Sequence, residues 1–434
     1  MKPYLHILIL LFSFFSSRAQ SLYFPPIAGN DWDTISPASL GWCTDQIPSL
    51  LDFLESNHTK AFILLKDGKI VVEKYFGTFT RDSVWYWASA GKTLTSFMVG
   101  IAQQDNFLSI TDTTSQYLGQ GWTACTSDQE NKITIRNQLT MTTGLDDGVP
   151  DNYCTLDSCL IYKADAGTRW AYHNAPYTLL DEVIQNATVK NLNAYMNQKL
   201  KIPTGITGAF FPSGYNNVFF SKARSMARYA LLILNHGNWN GNQIMTDTAY
   251  FHQMVNTSQP LNLSYGYLWW LNGKASYRLP TLQLLFPGSL NPHAPDDMIA
   301  ALGKNGQIIN IVPNQHLVYV RMGDAPGAGE VGVAFNDTIW QKLNTIICDV
   351  NAISNTTNDI NLNIYPNPAH GIFTIDGIED KSEIIISDVT GAIIFYRADV
   401  FGKVEVDCSR YPAGVYFLTV TSGNKRMVRK IVVN

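Results

Sequence analysis

Charge is scarce in this 434-residue chain: Asp, Glu, Lys and Arg make up 15% of it, with 31 Lys+Arg set against 35 Asp+Glu. That is well below the roughly 25% of ordinary globular domains, and with 46% hydrophobic residues it excludes an intrinsically disordered chain. No basic run interrupts the mildly acidic balance, so the electrostatic footprint of a nucleic-acid binder is missing. There is no CxxC pair, and the eight histidines are scattered without ligand spacing, so neither a metal nor any other cofactor is expected. Beyond the N-terminus no stretch approaches the 18 or so consecutive apolar residues of a membrane span. What is abundant is aromatic: 10 Trp, 21 Tyr and 21 Phe promise a large core.

The first residues read as an export signal. Lys2 supplies a short positive region, Tyr4 to Phe15 is apolar but short for a span, and Ser17-Arg18-Ala19 offers small residues for cleavage, giving a signal over 1–19. Export makes the six cysteines disulfide candidates, with Cys154 to Cys159 and Cys43 with Cys348 as the attractive pairings. Asn351 to Asn361 is rich in Asn, Thr, Ser and Asp, which is linker composition, and sets a boundary between 20–350 and 361–434 with a linker over 351–360.

Ahead of the linker the pattern is mixed. Ala61 to Lys66 and Lys69 to Phe76 are β-rich and joined by Asp67-Gly68, a hairpin signal. Helical periodicity follows at Lys92 to Gln103, Tyr177 to Gln185 and Ser221 to Leu234, with Ser221 as the expected N-cap. Ile308 to Val312 and Leu317 to Met322 flank a Pro313-Asn314 turn, and a last apolar-periodic segment runs from Val333 to Cys348. The expected class is α+β, with the terminal hairpins sharing one antiparallel sheet. Past the linker, short alternating runs broken by Gly, Pro, Asn and Asp predict a small β-sandwich.

Three short motifs carry candidate chemistry. Ser89-Ala90-Gly91-Lys92 opens an amphipathic helix, where a three-residue spacing puts Lys92 within reach of the Ser89 hydroxyl. A serine becomes nucleophilic when a base takes its proton, and the helix N-terminus adds backbone N–H groups beside a developing oxyanion. Gly91-Lys92-Thr93 is not a phosphate loop, because Tyr86 stands where the first glycine belongs. A second S-x-x-K, from Ser422 to Lys425, falls in a turn and reads as structural. The second motif is Tyr172-His173-Asn174, in which a phenol can relay a proton and an amide can orient the lysine. Tyr195-Met196-Asn197 and Tyr215-Asn216-Asn217 share that spacing. The third is Lys304-Asn305-Gly306 before a strand, where a lysine adds positive charge and Gln307 offers a backbone N–H.

The ordered trio resembles the serine β-lactamase and penicillin-binding-protein superfamily, especially its class C β-lactamase-related branch. Ile133 to Leu145, Gly167 to Leu180, Ser221 to Leu234 and Tyr265 to Trp270 resemble further segments of that branch. The resemblance implies an antiparallel sheet flanked by helices beside an all-helical lobe. It implies Ser89 as acyl-accepting nucleophile, Lys92 as base, Tyr172 as proton shuttle, Asn174 as supporting hydrogen-bonder and Lys304 as electrostatic support, with Ser89 and Gln307 N–H groups as oxyanion hole. Asn305 stands where the branch commonly has a hydroxyl that grips a substrate carboxylate, and the Gly306-Gln307 form is closer to esterases and 6-aminohexanoate-oligomer hydrolases. Trp85, Tyr86, Trp87 and Trp170 are candidates for an apolar acyl site. The tail, with Ile364-Tyr365-Pro366-Asn367-Pro368 and Gly414-Val415-Tyr416-Phe417-Leu418, resembles the type IX secretion sorting domain of Bacteroidetes.

The expectation is an exported serine hydrolase acting on an ester or small amide. The alternatives are a DD-peptidase or β-lactamase activity, and a non-catalytic surface protein on a hydrolase fold. The expected partners are that small substrate and the type IX machinery, and the expected location is secreted or cell-surface.

Overall fold

A hairpin founds the larger unit. In the computed structural model, which describes residues 22–326, 332–348, 362–388, 392–422 and 425–434, strand β1 (Thr59–Lys66) turns directly into β2 (Lys69–Tyr75). Asp67 and Gly68 both take positive φ, 51° and 81°, the backbone that matches strand twist in a two-residue hairpin. Gly68 is also forced by proximity, since a Cβ there would meet the Tyr23 carbonyl oxygen at 2.0 Å. The export signal over 1–19 and the linker over 351–360 lie outside the described residues.

The chain leaves the hairpin through a two-residue strand, β3 (Trp85–Tyr86), and enters a helical lobe before returning as the antiparallel pair β4 (Ala209–Ser213) and β5 (Asn216–Ser221). It then adds β6 (Trp270–Leu271), β7 (Ile299–Gly303), β8 (Gln307–Val312) and β9 (Leu317–Gly323). Six strands form one antiparallel sheet in the order β2-β1-β9-β8-β7-β6, so the first and last hairpins pair through β1 and β9 as expected. Every residue of β7, β8 and β9 is buried. That suits a sheet covered on both faces, whose strands read as continuous rather than alternating apolar runs.

The cover is helical. α1 (Ile47–Ser56) packs on β1 and on the final helix of this unit, while α2 (Lys92–Gln104) and α3 (Asn174–Thr178) lie in the lobe with α4 (Leu180–Thr188). α5 (Ala223–Leu234) crosses β1, β8 and β9, and α6 (Val333–Ile347) is the helix that meets α1. The periodicity expected to cap α5 with Ser221 resolves differently. Lys222 is the N-cap and gives no side-chain cap bond. Ser221 instead ends β5, where its hydroxyl accepts from the Trp87 indole at 2.8 Å and donates to the Lys222 carbonyl at 2.9 Å.

Cys154 and Cys159 are joined in a disulfide, Cys43 and Cys348 are also disulfide-bonded, and Cys125 and Cys408 are free thiols. No helix among the described residues is long and apolar enough to cross a membrane.

A second compact unit spans 348–434. Its strands β10 (Asn363–His370), β11 (Ile372–Ser387), β12 (Ile393–Asp407), β13 (Gly414–Ser422) and β14 (Lys425–Val433) form one sheet in the order β10-β14-β13-β11-β12. β10 pairs with β11 as well, which curls the sheet on itself into a sandwich-like layer. The inner face, with Phe373, Ile375, Ile384, Ile386, Val406, Leu418 and Ile431, is a separate core. Runs expected as separate short strands fuse, because β11 and β12 remain paired across several register shifts.

Candidate active site

The site is built outward from the segment ahead of Ser89. β3 pairs with β5, matching Trp85 to Ser221 and Tyr86 to Phe220, and the Trp87 amide then bonds the Phe219 carbonyl at 2.8 Å. Ala88 takes φ 46°, a left-handed conformation that costs a non-glycine residue about 1–2 kcal/mol. It follows directly on the paired strand and opens a tight turn over Ala88–Gly91 that runs straight into α2. Ser89 is left half-exposed at the turn while Lys92, the first residue of α2, is only 1% exposed.

The expected pair meets. The Lys92 Nζ donates to the Ser89 Oγ at 2.9 Å and to the Asn174 Oδ1 at 2.8 Å. Asn174 begins α3 and is itself anchored, its Nδ2 donating to the Asn152 Oδ1 at 3.0 Å. Tyr172 lies in the same cluster, with its ring centroid 5.0 Å from the Lys92 Nζ and its ring stacked on Trp270 at 5.9 Å. The rival tyrosines are engaged otherwise. Tyr195 is a buried side chain whose hydroxyl donates to the Asp105 Oδ2, and Tyr215 is exposed in the turn between β4 and β5. Ser422 of the second S-x-x-K ends β13 and donates to the Lys381 carbonyl, its next two residues falling outside those described.

Lys304, Asn305 and Gly306 form the turn that joins β7 to β8. The Lys304 side chain is exposed. Asn305 and Gly306 both have positive φ, and the Asn305 amide donates to the Tyr86 hydroxyl at 2.6 Å, tying the turn to the strand that leads into Ser89. The Gln307 side chain is fully buried: it donates to the Gly323 carbonyl at 2.6 Å and accepts from the Gly323 amide at 3.1 Å, clasping the end of β9.

Three contributors escaped the reading of the sequence. Gly303, the last residue of β7, lies against the Ser89 turn so closely that a Cβ would meet the Trp87 oxygen at 2.6 Å and the Ser89 nitrogen at 3.1 Å. Arg321, buried in β9, holds the Lys304–Gly306 turn from beneath by donating to the Asn305 and Gly306 carbonyls at 2.7 and 2.8 Å. Burial pushes its guanidinium down to about 10. Tyr177 places its ring centroid 3.8 Å from the Lys92 Nζ. Of these, only Tyr177 had a signal, as a tyrosine one helical turn beyond Asn174.

The surrounding electrostatics are set by burial. His173, between Tyr172 and Asn174, is 2% exposed with neither ring nitrogen bonded among the described residues, and desolvation lowers its pKa to about 4, so it is neutral at pH 7. Asp181 on α4 is raised to about 7 by burial, partly offset by hydrogen bonds from Asn217 and Thr95. Among the aromatic candidates for an acyl wall, Trp87 and Trp170 belong to the core, whereas Trp85 and Tyr86 keep partial exposure. Among the described residues no cluster of His, Cys, Asp or Glu is arranged to hold a metal ion.

A hydroxyl and an amine in direct contact, oriented by an amide and enclosed by phenols, form an arrangement for acyl transfer. A family model described as Beta-lactamase matches residues 54–334, which contain all of these groups. The chain belongs to the beta-lactamase family. Membership implies serine hydrolase activity. A second family model, the secretion system C-terminal sorting domain, matches residues 363–434. That domain implies recognition by the type IX secretion machinery and places this family member in the secreted or cell-surface class.

Solved structures agree on the fold. A Bacillus anthracis protein named as a 6-aminohexanoate-dimer hydrolase superimposes with a TM-score of 0.54 at 18% identity, covering 75% of this chain and 87% of its own. A Bacteroides dorei protein named as a beta-lactamase gives 0.56 at 17% identity, covering 70% and 99%. A Caulobacter crescentus penicillin-binding-protein homolog gives 0.54 at 12% identity, covering 70% and 97%. No curated protein matches the sequence.

Proposed function

We propose that this exported family member hydrolyses an ester or small amide through an acyl-enzyme at Ser89. The observation that carries the reading is the contact of the Lys92 Nζ with both Ser89 Oγ and Asn174 Oδ1. Neutral Lys92 takes the Oγ proton as the oxygen bonds to the substrate carbonyl carbon. Tyr172 passes a proton to the departing alkoxide or amine as its bond to that carbon breaks. Water then attacks the acyl carbon, gives up a proton through the same groups, and releases the acid and the Ser89 hydroxyl. The oxyanion is held by the Ser89 backbone N–H, with the Gln307 N–H as the second donor on the strength of the family resemblance. Lys304 adds positive charge at the rim.

The ester or amide assignment is supported by the Asn305 turn. The family resemblance puts a hydroxyl there to grip a substrate carboxylate, but here the Asn305 amide is committed to Tyr86 and the Gln307 side chain to Gly323. A substrate without that carboxylate fits the remaining groups. The name carried by the B. anthracis structure favours the same branch.

The test is to incubate the purified protein with a chromogenic short-chain ester, a cephalosporin and a fluorophosphonate probe, alongside Ser89→Ala. Turnover of the ester and labelling at Ser89, both abolished in the variant, are expected. A wild type that neither turns over any substrate nor labels removes the hydrolase reading, and efficient cephalosporin turnover with a silent ester moves it to the β-lactamase alternative.

A further inference from the structure

Lys92 is faced by two aromatic rings that are held differently. Tyr172 stacks on Trp270. Tyr177 is fully buried and its hydroxyl is committed to the Asn216 Oδ1 at 3.0 Å, so what it offers Lys92 is the face of its ring, with the Nζ 3.8 Å from the centroid. A π face is negative at its centre and attracts a cation, most strongly where water is excluded.

We propose that Tyr177 is a positioning residue of the hydrolytic reaction, whose ring face receives the positive charge that develops on Lys92 as it takes the Ser89 proton. The inference rests on the reading of Ser89 and Lys92 as nucleophile and base. In that step the Oγ–H bond breaks and an N–H bond forms, turning a neutral amine into an ammonium. The Ser89 and Asn174 oxygens accept two of its protons, and the ring stabilises the charge itself. An aliphatic side chain would offer Lys92 no such quadrupole. The ring therefore favours the charged product of the proton transfer over the neutral amine, which lowers the barrier and raises the pH at which Lys92 gives its proton up.

The other titratable groups around this pair are Tyr153, Tyr172, Tyr265 and Asp181. Asp181 is the one held near neutral pH, so the measurement is made both in the native background and with Asp181→Asn.

The test replaces Tyr177 with Phe and then with mono-, di- and trifluorinated phenylalanines, which keep the ring's shape while progressively emptying its face of negative charge. Tyr177→Phe, which keeps the ring face and gives up the bond to Asn216, is the reference of the series. Across the fluorinated series the acid limb of the kcat/KM profile should move down by about one pH unit and the plateau should fall about tenfold. A limb and plateau that stay fixed from Phe across the fluorinated series overturn the proposal, since that result denies the ring face its part. Failure of the underlying reading looks different: the wild type itself would be inert to ester and fluorophosphonate.

Discussion

The Cα of Gly303 lies where a methyl group attached to it would press 3.1 Å from the backbone nitrogen of Ser89 and 2.6 Å from the Trp87 oxygen. Gly303 has φ −125°, a backbone that any residue adopts, so the requirement for glycine comes from its neighbour alone. Gly303→Ala must push the Ser89 turn off β7 by several tenths of an ångström. The expected cost is about 1–3 kcal/mol of stability, from overpacking, and about a hundredfold in kcat/KM. Thermal melts together with steady-state kinetics check it, and a folded Gly303→Ala with wild-type turnover would contradict the contact.

Arg321 supports the neighbouring Lys304–Gly306 turn. Besides the two turn carbonyls, it donates to Thr59 Oγ1 at 3.0 Å and to the carbonyls of Asn57 and Asp324 at 2.7 and 3.0 Å. Lysine, with three donors on one atom, cannot reproduce that fork. Arg321→Lys should lose about 3 kcal/mol of stability, since buried carbonyls are left unpaired, and should lower kcat more than it raises KM as the Lys304–Gly306 turn loosens. Urea denaturation and a kcat and KM comparison read both effects.

These two residues mark where the sequence stopped being legible. The β1–β2 hairpin was readable because Asp67-Gly68 is a local signal, and Ser89 with Lys92 because three residues along a helix fix a distance whatever surrounds it. The Tyr172-to-Asn174 motif offered an amide to orient the lysine, and the family resemblance set Tyr172 apart from Tyr195 and Tyr215. Gly303 and Arg321 act across strands: one looks like any glycine at a strand end, the other like a charge misplaced in the apolar run Leu317 to Met322. Ser221 misled in the opposite sense. Its type suits a helix cap, but pairing of β5 with β3 claimed its backbone and the Trp87 indole claimed its hydroxyl. Turn chemistry and helical spacing are local; steric demand and hydrogen bonds from distant strands are not.

Each unit has its own core, which bears on export. A protein ending at residue 361 should fold, label with fluorophosphonate and turn over the ester within about twofold of the full chain, while being retained inside the cell envelope. Fractionation with activity assays checks both halves. Unchanged export of the truncated protein would remove the tail's part in sorting.

Asp181 predicts an unusual pH dependence of stability. Its carboxyl is fully buried between Thr95 of α2 and Asn217 of β5, and burial raises its pKa from 3.8 to about 7. The folded state therefore binds a proton more tightly than the unfolded state, and its contribution to stability is complete below about pH 4 and lost as pH rises through 7. A shift of that size corresponds to about 4 kcal/mol across the window, an upper figure for a single group. Asp181→Asn keeps an acceptor and a donor in the same volume but carries no charge at any pH. Measured by denaturant unfolding, the variant should gain on the wild type steadily between pH 4 and pH 7, and above pH 7 it should be the more stable protein by a constant margin. Parallel stability profiles for the two proteins would mean that Asp181 is ionised in the fold at an ordinary pKa. Because Thr95 sits one helical turn beyond Lys92, the same titration should also move α2, so the kcat of the wild type should fall more steeply than that of Asp181→Asn as the carboxylate forms.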